Sequence, residues 1–183
     1  MSRTTVASGA RAPDGRAVLI QVAALESGLG PVHVATRDGV LCALGFDDYW
    51  PREQAHLIRR FGLVQFGAGA CADTLAALTR YFDGDIHALA GIPTDPGGTP
   101  FQARVWRALC DIPAGQTRSY RDLAASIGEP AAVRAVGTAN GRNPIPLVIP
   151  CHRVIGADGR LVGYGGGLHR KDWLLRHEGA RLF

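Results

Sequence analysis

Cys151 and His152 stand side by side, followed by Arg153 and Val154 and preceded by Pro150 at the end of an apolar, strand-like run from Ile145 to Ile149. A cysteine attacks as thiolate, and with an ordinary pKa near about 8.5 little of it is ionised at neutral pH. Each pKa unit of depression takes about 1.4 kcal/mol of extra stabilisation of the charged form, which a protonated histidine and a helix N-terminus can supply. Farther on, Glu178 offers a carboxylate to orient the histidine, so that Cys151, His152 and Glu178 form a set of nucleophile, base and orienting acid. Adjacent residues in a regular strand point to opposite faces, and proton transfer from Cys151 to His152 then requires a turn or a bridging water. The competing reading is a buried cysteine beside a satisfied histidine.

The elements flanking this pair narrow the choice. After a helix-spaced run of Phe101, Val105, Trp106, Leu109 and Cys110, closed by Pro113-Ala114-Gly115, the chain predicts two short helices, 120–127 and 131–140, joined by a turn at Gly128-Glu129-Pro130. That pattern fits a helix-turn-helix or an ordinary helical hairpin. The second helix is nearly bare, with Ala131, Ala132, Ala135, Gly137 and Ala139 around a single long cation, Arg134. Such a helix either enters a narrow groove with the arginine projecting into a base stack, or packs tightly on a neighbour with Arg134 reaching solvent. Asn143 precedes a proline and is therefore expected in a bend, its amide free to brace nearby backbone. Beyond the thiol, a turn at 157–160 leads to a glycine-rich stretch around Tyr164, either a wall for a flat ligand or a surface loop. A last helix over 169–177 turns Trp173, Leu174 and Leu175 inward and ends at Glu178.

Composition sets the outer bounds. The 183 residues are 46% hydrophobic and carry mixed charge, as a folded protein does. No apolar stretch nears the roughly 20 residues of a membrane span, and the first residues lack the apolar segment of an export signal. Cys42, Cys71, Cys110 and Cys151 lack the paired spacings of zinc sites or a disulfide framework, and the expectation is a reduced, cytoplasmic protein with no metal and no cofactor. Cys42, Cys71 and Cys110 read as buried structural thiols. Residues 1–99 carry a net charge of −2 and residues 100–183 one of +6, an asymmetry that suits a polyanionic partner for the second half. The chain predicts an α+β protein: a flexible tail at 1–16, a small N-terminal domain over 17–90 with an antiparallel sheet and two helices, a linker at 91–99, and a mainly helical domain over 100–183. Strands are expected over 17–25, 31–36 and 40–46, the last two joined by a hairpin turn at Arg37-Asp38-Gly39, with helices over 51–61 and 73–82.

Over residues 100–183 the chain resembles the O6-alkylguanine-DNA alkyltransferases, through Arg134-Ala135-Val136-Gly137, Asn143-Pro144, Ile149-Pro150-Cys151-His152-Arg153-Val154, Gly163-Tyr164, and Leu174-Leu175 with Glu178, all in the family's order and spacing. The resemblance implies single-use repair of double-stranded DNA, with transfer of a methyl or other alkyl group from O6-alkylguanine to Cys151. It implies His152 as base through a water, Glu178 orienting His152, and Asn143 bracing the thiol-bearing segment. Tyr120 corresponds to the tyrosine that crowds the flipped nucleotide's phosphate and gives a proton to the departing guanine, and Arg134 to the arginine that fills the space left by the base. The main chain at Cys151 and Val154 would read the exocyclic amine, Tyr164 and Gly165 would complete the pocket, and Ala135 and Gly137 would allow minor-groove entry. The implied protein is monomeric.

Gly165 departs from members that carry serine there, which predicts a wider pocket and tolerance of bulkier O6-alkyl groups. The zinc ligands of some relatives' N-terminal regions are not evident. Two other classes use some of the same residues: a cysteine hydrolase, which would turn over through an acyl-enzyme, and a lesion-binding module, which would lack the acceptor thiol. A plain helix-turn-helix regulator would usually show a long polar recognition helix and a dimerisation region, and neither is visible.

Overall fold

Residues 16–69 and 71–180 are described by a computed structural model; the predicted tail lies outside them except for Arg16. The chain divides into two compact units at Gly97–Gly98. In the first, β1 (Val18–Leu25), β2 (Val32–Arg37) and β3 (Val40–Phe46) form an antiparallel meander. Its second turn is built on Asp38 and Gly39, both at positive φ (52° and 78°), the geometry that a two-residue hairpin loop needs to match strand twist. α1 (Trp50–Phe61) follows, then β4 (Val64–Ala68), which adds to β1 in parallel and gives the sheet order β3-β2-β1-β4. The sheet is therefore mixed, not wholly antiparallel. β4 was not anticipated because five residues containing a glycine are too few to show a period.

α1 opens with a proline in its first turn and ends against Gly62 at φ 79°. Its buried Trp50, Leu57 and Phe61 recur at helical spacing and close over Ile20, Ala35, Cys42 and Ala43 to form the core. α2 (Ala72–Phe82) packs on β1. The stretch expected as a linker is partly built into this unit: Leu41 N donates to Pro93 O (3.0 Å), Asp95 N donates to Leu41 O (2.8 Å), and the buried Asp95 pairs with Arg60 at 2.5 Å. Proline and glycine deny this segment a regular element, but its backbone still packs.

The second unit begins with α3 (Pro100–Cys110), capped by a reciprocal Thr99–Gln102 box with Pro100 in the first turn. Val105, Trp106 and Leu109 face inward, and the indole Nε1 donates to Ala139 O at 2.9 Å. Cys110, one step past that face, is exposed and not buried as its apolar neighbours suggested. β5 (Arg118–Ser119) leads into α4 (Tyr120–Ser126), whose start is fixed by a Ser119–Asp122 capping box. After a turn, α5 (Val133–Gly141) packs on α3 and α4. The expected strand before the thiol does not form: residues 144–149 are bends and turns, with Leu147 at φ 72°. Pro144, Pro146 and Pro150 remove the donors a ladder would need. β6 (Val154–Ile155) pairs in parallel with β5, and α6 (Leu168–His177) closes the unit. Leu174 and Leu175 are fully buried, whereas Trp173 is half-buried and stacks on His177 at 4.6 Å.

Candidate alkyl-acceptor site

Cys151 to Arg153 form one turn of 3-10 helix, and Cys151 is 5% exposed. Successive residues of such a turn are about 120° apart, so the strand objection to a Cys-His partnership falls away. The turn is held from behind by Asn143, whose Nδ2 donates to Ile149 O (2.7 Å) while its Oδ1 accepts from Ile145 N (3.0 Å). Asn143 is thus a buried amide satisfying two backbone groups in a segment that has no ladder to do so.

His152 is fully buried. Its Nε2 lies 3.0 Å from Glu178 Oε1, and Glu178 is in turn gripped by Arg153 through Nε to Oε2 (2.8 Å) and Nη2 to Oε1 (2.9 Å). A third Arg153 bond, Nη1 to Ile112 O at 2.6 Å, fixes the guanidinium. Burial by itself would raise the Glu178 pKa, but the bonds from His152 and Arg153 outweigh it and hold the carboxyl well below the usual range. Arg153 already compensates that carboxylate, so for His152 burial prevails over the pull of Glu178, and its pKa is lowered. His152 is thus kept neutral, with Nε2–H donating to Glu178. A neutral His152 does not supply the standing positive charge that the sequence allowed. Its Nδ1 is buried with no hydrogen-bond partner among the described residues.

Tyr120 reaches the same place from the other side. The parallel pairs Arg118 with Val154 and Ser119 with Ile155 draw the start of α4 against the segment just after the thiol. The Tyr120 hydroxyl lies 3.4 Å from Asn140 Nδ2, which also lies 3.4 Å from Cys151 O. Burial and the nearby Cys151 raise the Tyr120 pKa, against a smaller lowering by Asn140, so the phenol stays protonated. An open pocket of about 620 Å³ is lined by Tyr120, Arg121, Val133, Arg134, Gly137, Ala157, Val162 and Gly163. Arg134 and Ala135 are exposed on α5, while Val136, Ala139 and Asn140 are buried. Tyr164 and Gly165 are not among the lining residues; the Tyr164 ring stands edge-on to His152 at 6.5 Å. The Val154 carbonyl accepts from Lys171 Nζ at 2.6 Å.

A sequence model described as "6-O-methylguanine DNA methyltransferase, DNA binding domain" matches residues 100–180. The methylated-DNA–protein-cysteine methyltransferase of Salmonella typhimurium is 56% identical over 161 residues, covering 84% of this chain and 92% of the relative. The chain belongs to the methylated-DNA–protein-cysteine methyltransferase family. A second such protein, from Mycobacterium leprae, is 46% identical over 160 residues, covering 87% of this chain and 93% of its own. Among solved structures, Mycobacterium tuberculosis OGT in complex with DNA aligns with TM-score 0.75 at 42% identity, over 87% of this chain and 92% of that one. The O6-methylguanine-DNA methyltransferase of Pyrococcus kodakaraensis aligns with TM-score 0.68 at 26% identity, over 88% and 99%.

The partners of three residues in this region were not legible in the sequence: Arg153, Asn140 and Lys171. Arg153 belongs to the motif around Cys151, but its partner Glu178 lies far along the chain, where no local pattern points to it. Lys171 carried a usable signal, being the sole lysine in a chain with nineteen arginines. It is fully buried and donates to Val154 O, Val162 O (2.7 Å) and Gly163 O (3.4 Å). Three divergent carbonyls suit a compact ammonium with three hydrogens better than a planar guanidinium. Burial pushes its pKa down to about 8. Among the described residues, no group of three or more metal-ligating side chains is assembled, and no helix is long and apolar enough to cross a membrane.

Proposed function

We propose that this chain repairs double-stranded DNA by direct reversal, transferring the alkyl group of O6-alkylguanine irreversibly to the sulfur of Cys151. The observation that carries the assignment of roles is the buried chain Arg153–Glu178–His152. It pins one imidazole nitrogen as donor to a fixed carboxylate and leaves Nδ1, next to the thiol in sequence, as the acceptor. Cys151 gives its proton to His152, directly or through a water. The sulfur then attacks the alkyl carbon, the bond from that carbon to O6 breaks with its electrons passing to guanine, and Tyr120 protonates the departing base. The product at sulfur is a thioether. Unlike an acyl-enzyme it offers water no carbonyl to attack, so the protein acts once.

The pocket beside Tyr120 and Arg134 supports a flipped nucleotide on this side of α4 and α5, with Arg134 entering the vacated stack. The exposed small residues of α5, Ala135 with the half-buried Gly137, support approach to the minor groove. Val154 and Cys151 supply backbone carbonyls to the guanine amine, and Tyr164 and Gly165 border the base from the glycine-rich loop. The protein works as a cytoplasmic monomer, with no metal or cofactor. Gly165 leaves room for bulkier O6 substituents, and O6-benzylguanine is expected to consume the activity; retention of full activity at high inhibitor concentration would count against this width.

Incubation with duplex DNA bearing O6-methylguanine, followed by peptide mass analysis, tests the reading. The peptide carrying Cys151 should gain one methyl group per protein and the signal should then stop. Continued product release would indicate a hydrolase, and an unmodified Cys151 would overturn the assignment.

A further inference from the structure

We propose that Asn140 is a positioning residue for the transfer step, its side-chain amide tying the Tyr120 hydroxyl to the Cys151 backbone and turning the phenolic proton toward the departing guanine. The inference rests on the function proposed above and adds a component to it. Asn140 lies on the inward face of α5 with Val136 and Ala139, at 3% exposure, where an aliphatic side chain would ordinarily pack. It is not shielding a helix end: its Nδ2 is 3.4 Å from both the Tyr120 hydroxyl and the Cys151 carbonyl, and its Oδ1 has no hydrogen-bond partner among the described residues.

That pattern decides which way the amide faces. Turned over, the amide would set its oxygen against the carbonyl oxygen of Cys151, so the nitrogen must point there. Each of its two hydrogens then meets one acceptor. The consequence falls on Tyr120: its oxygen receives a hydrogen from Asn140, and its own hydrogen is left to be given to an acceptor other than Asn140; Tyr120 is one of the residues that line the open pocket. An acceptor at position 140 would do the opposite and consume the proton. The bond to Asn140 also opposes the rise in Tyr120 pKa caused by burial and by Cys151, which makes the phenol a better acid than its surroundings alone would allow. Contacts of 3.4 Å are long, and bonds of this kind tighten when the reacting complex forms.

In the reaction the sulfur–carbon bond forms as the carbon–O6 bond breaks. The electron pair stays with guanine, which takes the Tyr120 proton; the resulting phenolate regains a proton from solvent, and the thiol proton rests on His152 before returning to solvent. The effect of Asn140 passes through Tyr120 and the Cys151 main chain.

The test is a double-mutant cycle on single-turnover methyl transfer at saturating protein, using wild type, Asn140→Leu, Tyr120→Phe and the double variant, with DNA affinity and thermal unfolding measured for each. Asn140→Leu is expected to slow transfer about tenfold with DNA affinity unchanged, and to cost less than about twofold when Tyr120 is already phenylalanine, since coupled residues are non-additive. The alkaline limb of the rate profile should move to higher pH in Asn140→Leu. Asn140→Ala must show the same non-additivity, which covers the case of a misfolded leucine variant. Independent, multiplying losses would overturn the inference, as would wild-type rates in both Asn140 variants while Tyr120→Phe is slow. A Tyr120→Phe variant as fast as wild type would instead remove the role given to Tyr120, and an unmethylated wild type would remove the function itself.

Discussion

At the scale of single residues, the centre of this site is a buried carboxylate held in its ionised form at neutral pH. Glu178 has Arg153 on one side and His152 on the other, all inside the protein. Removing one member of a buried ion pair leaves the other uncompensated, and Glu178→Gln is expected to cost about 3–5 kcal/mol in urea unfolding and to slow methyl transfer at least about tenfold. The folded-state pKa of Glu178 lies below its unfolded value, so its contribution to stability is complete above the ordinary carboxylate range and is lost as the pH falls below it. The stability gap between wild type and Glu178→Gln should therefore narrow steadily as the pH is lowered from about 5 to 3. A gap that stays constant over that range would mean that the carboxylate is not the paired anion described. Lys171 makes a second residue-scale case. Both Lys171→Met and Lys171→Arg should loosen residues 162–164, seen as faster amide exchange, because shape and not charge alone satisfies the three carbonyls.

At the scale of elements, the groups proposed for catalysis come from three short pieces, held in place by both local and long-range devices. A capping box starts α4 at Tyr120, a parallel pair of two-residue strands brings it to the thiol, Asn143 braces the turn that carries Cys151, and α6 delivers Glu178. Gly115 adds a support that was seen in the sequence only as a helix stop. It sits at φ 78°, and a β-carbon there would lie 2.8 Å from the Glu178 carbonyl oxygen. Gly115→Ala is expected to destabilise by about 1–3 kcal/mol and to slow transfer by displacing the carboxylate, measurable by thermal unfolding and single-turnover kinetics on the same variant. In the N-terminal unit, burial raises Glu53 to a pKa of about 7. Its folded pKa exceeds the unfolded one, so stability tied to it is present at low pH and lost as the pH rises through 7. Glu53→Gln should accordingly gain stability over wild type at pH 8 and show little difference at pH 4.

At the scale of the whole molecule, charge and chemistry are divided along the chain: −2 over residues 1–99 and +6 over 100–183, where every proposed catalytic and DNA-contacting residue lies. Binding to undamaged duplex should weaken with salt, with a log–log slope of about −0.9 for each phosphate contacted, and changing to alanine the exposed Arg121, which lines the pocket with Tyr120 and Arg134, should reduce that slope by about one. A slope near zero would remove the electrostatic basis of the proposed contact.

Residue order alone determined much of this protein. The three-strand meander, the helices and the two short helices before the thiol follow from local period, turn residues and capping signals, which act within a few positions of one another. The motif around Cys151, with Arg134 to Gly137, Asn143-Pro144, Gly163-Tyr164 and Glu178 at their spacings, carried the family resemblance. Tertiary structure decided what local pattern cannot encode. Three prolines turned an apolar run that reads as a strand into a bend, and β4 found a parallel partner far away in the chain. Above all, the protonation of His152 and the partners of Arg153, Lys171 and Asn140 depend on which buried groups meet across long sequence separations. Desolvation and hydrogen bonding act through space, and they appear only once the chain has folded.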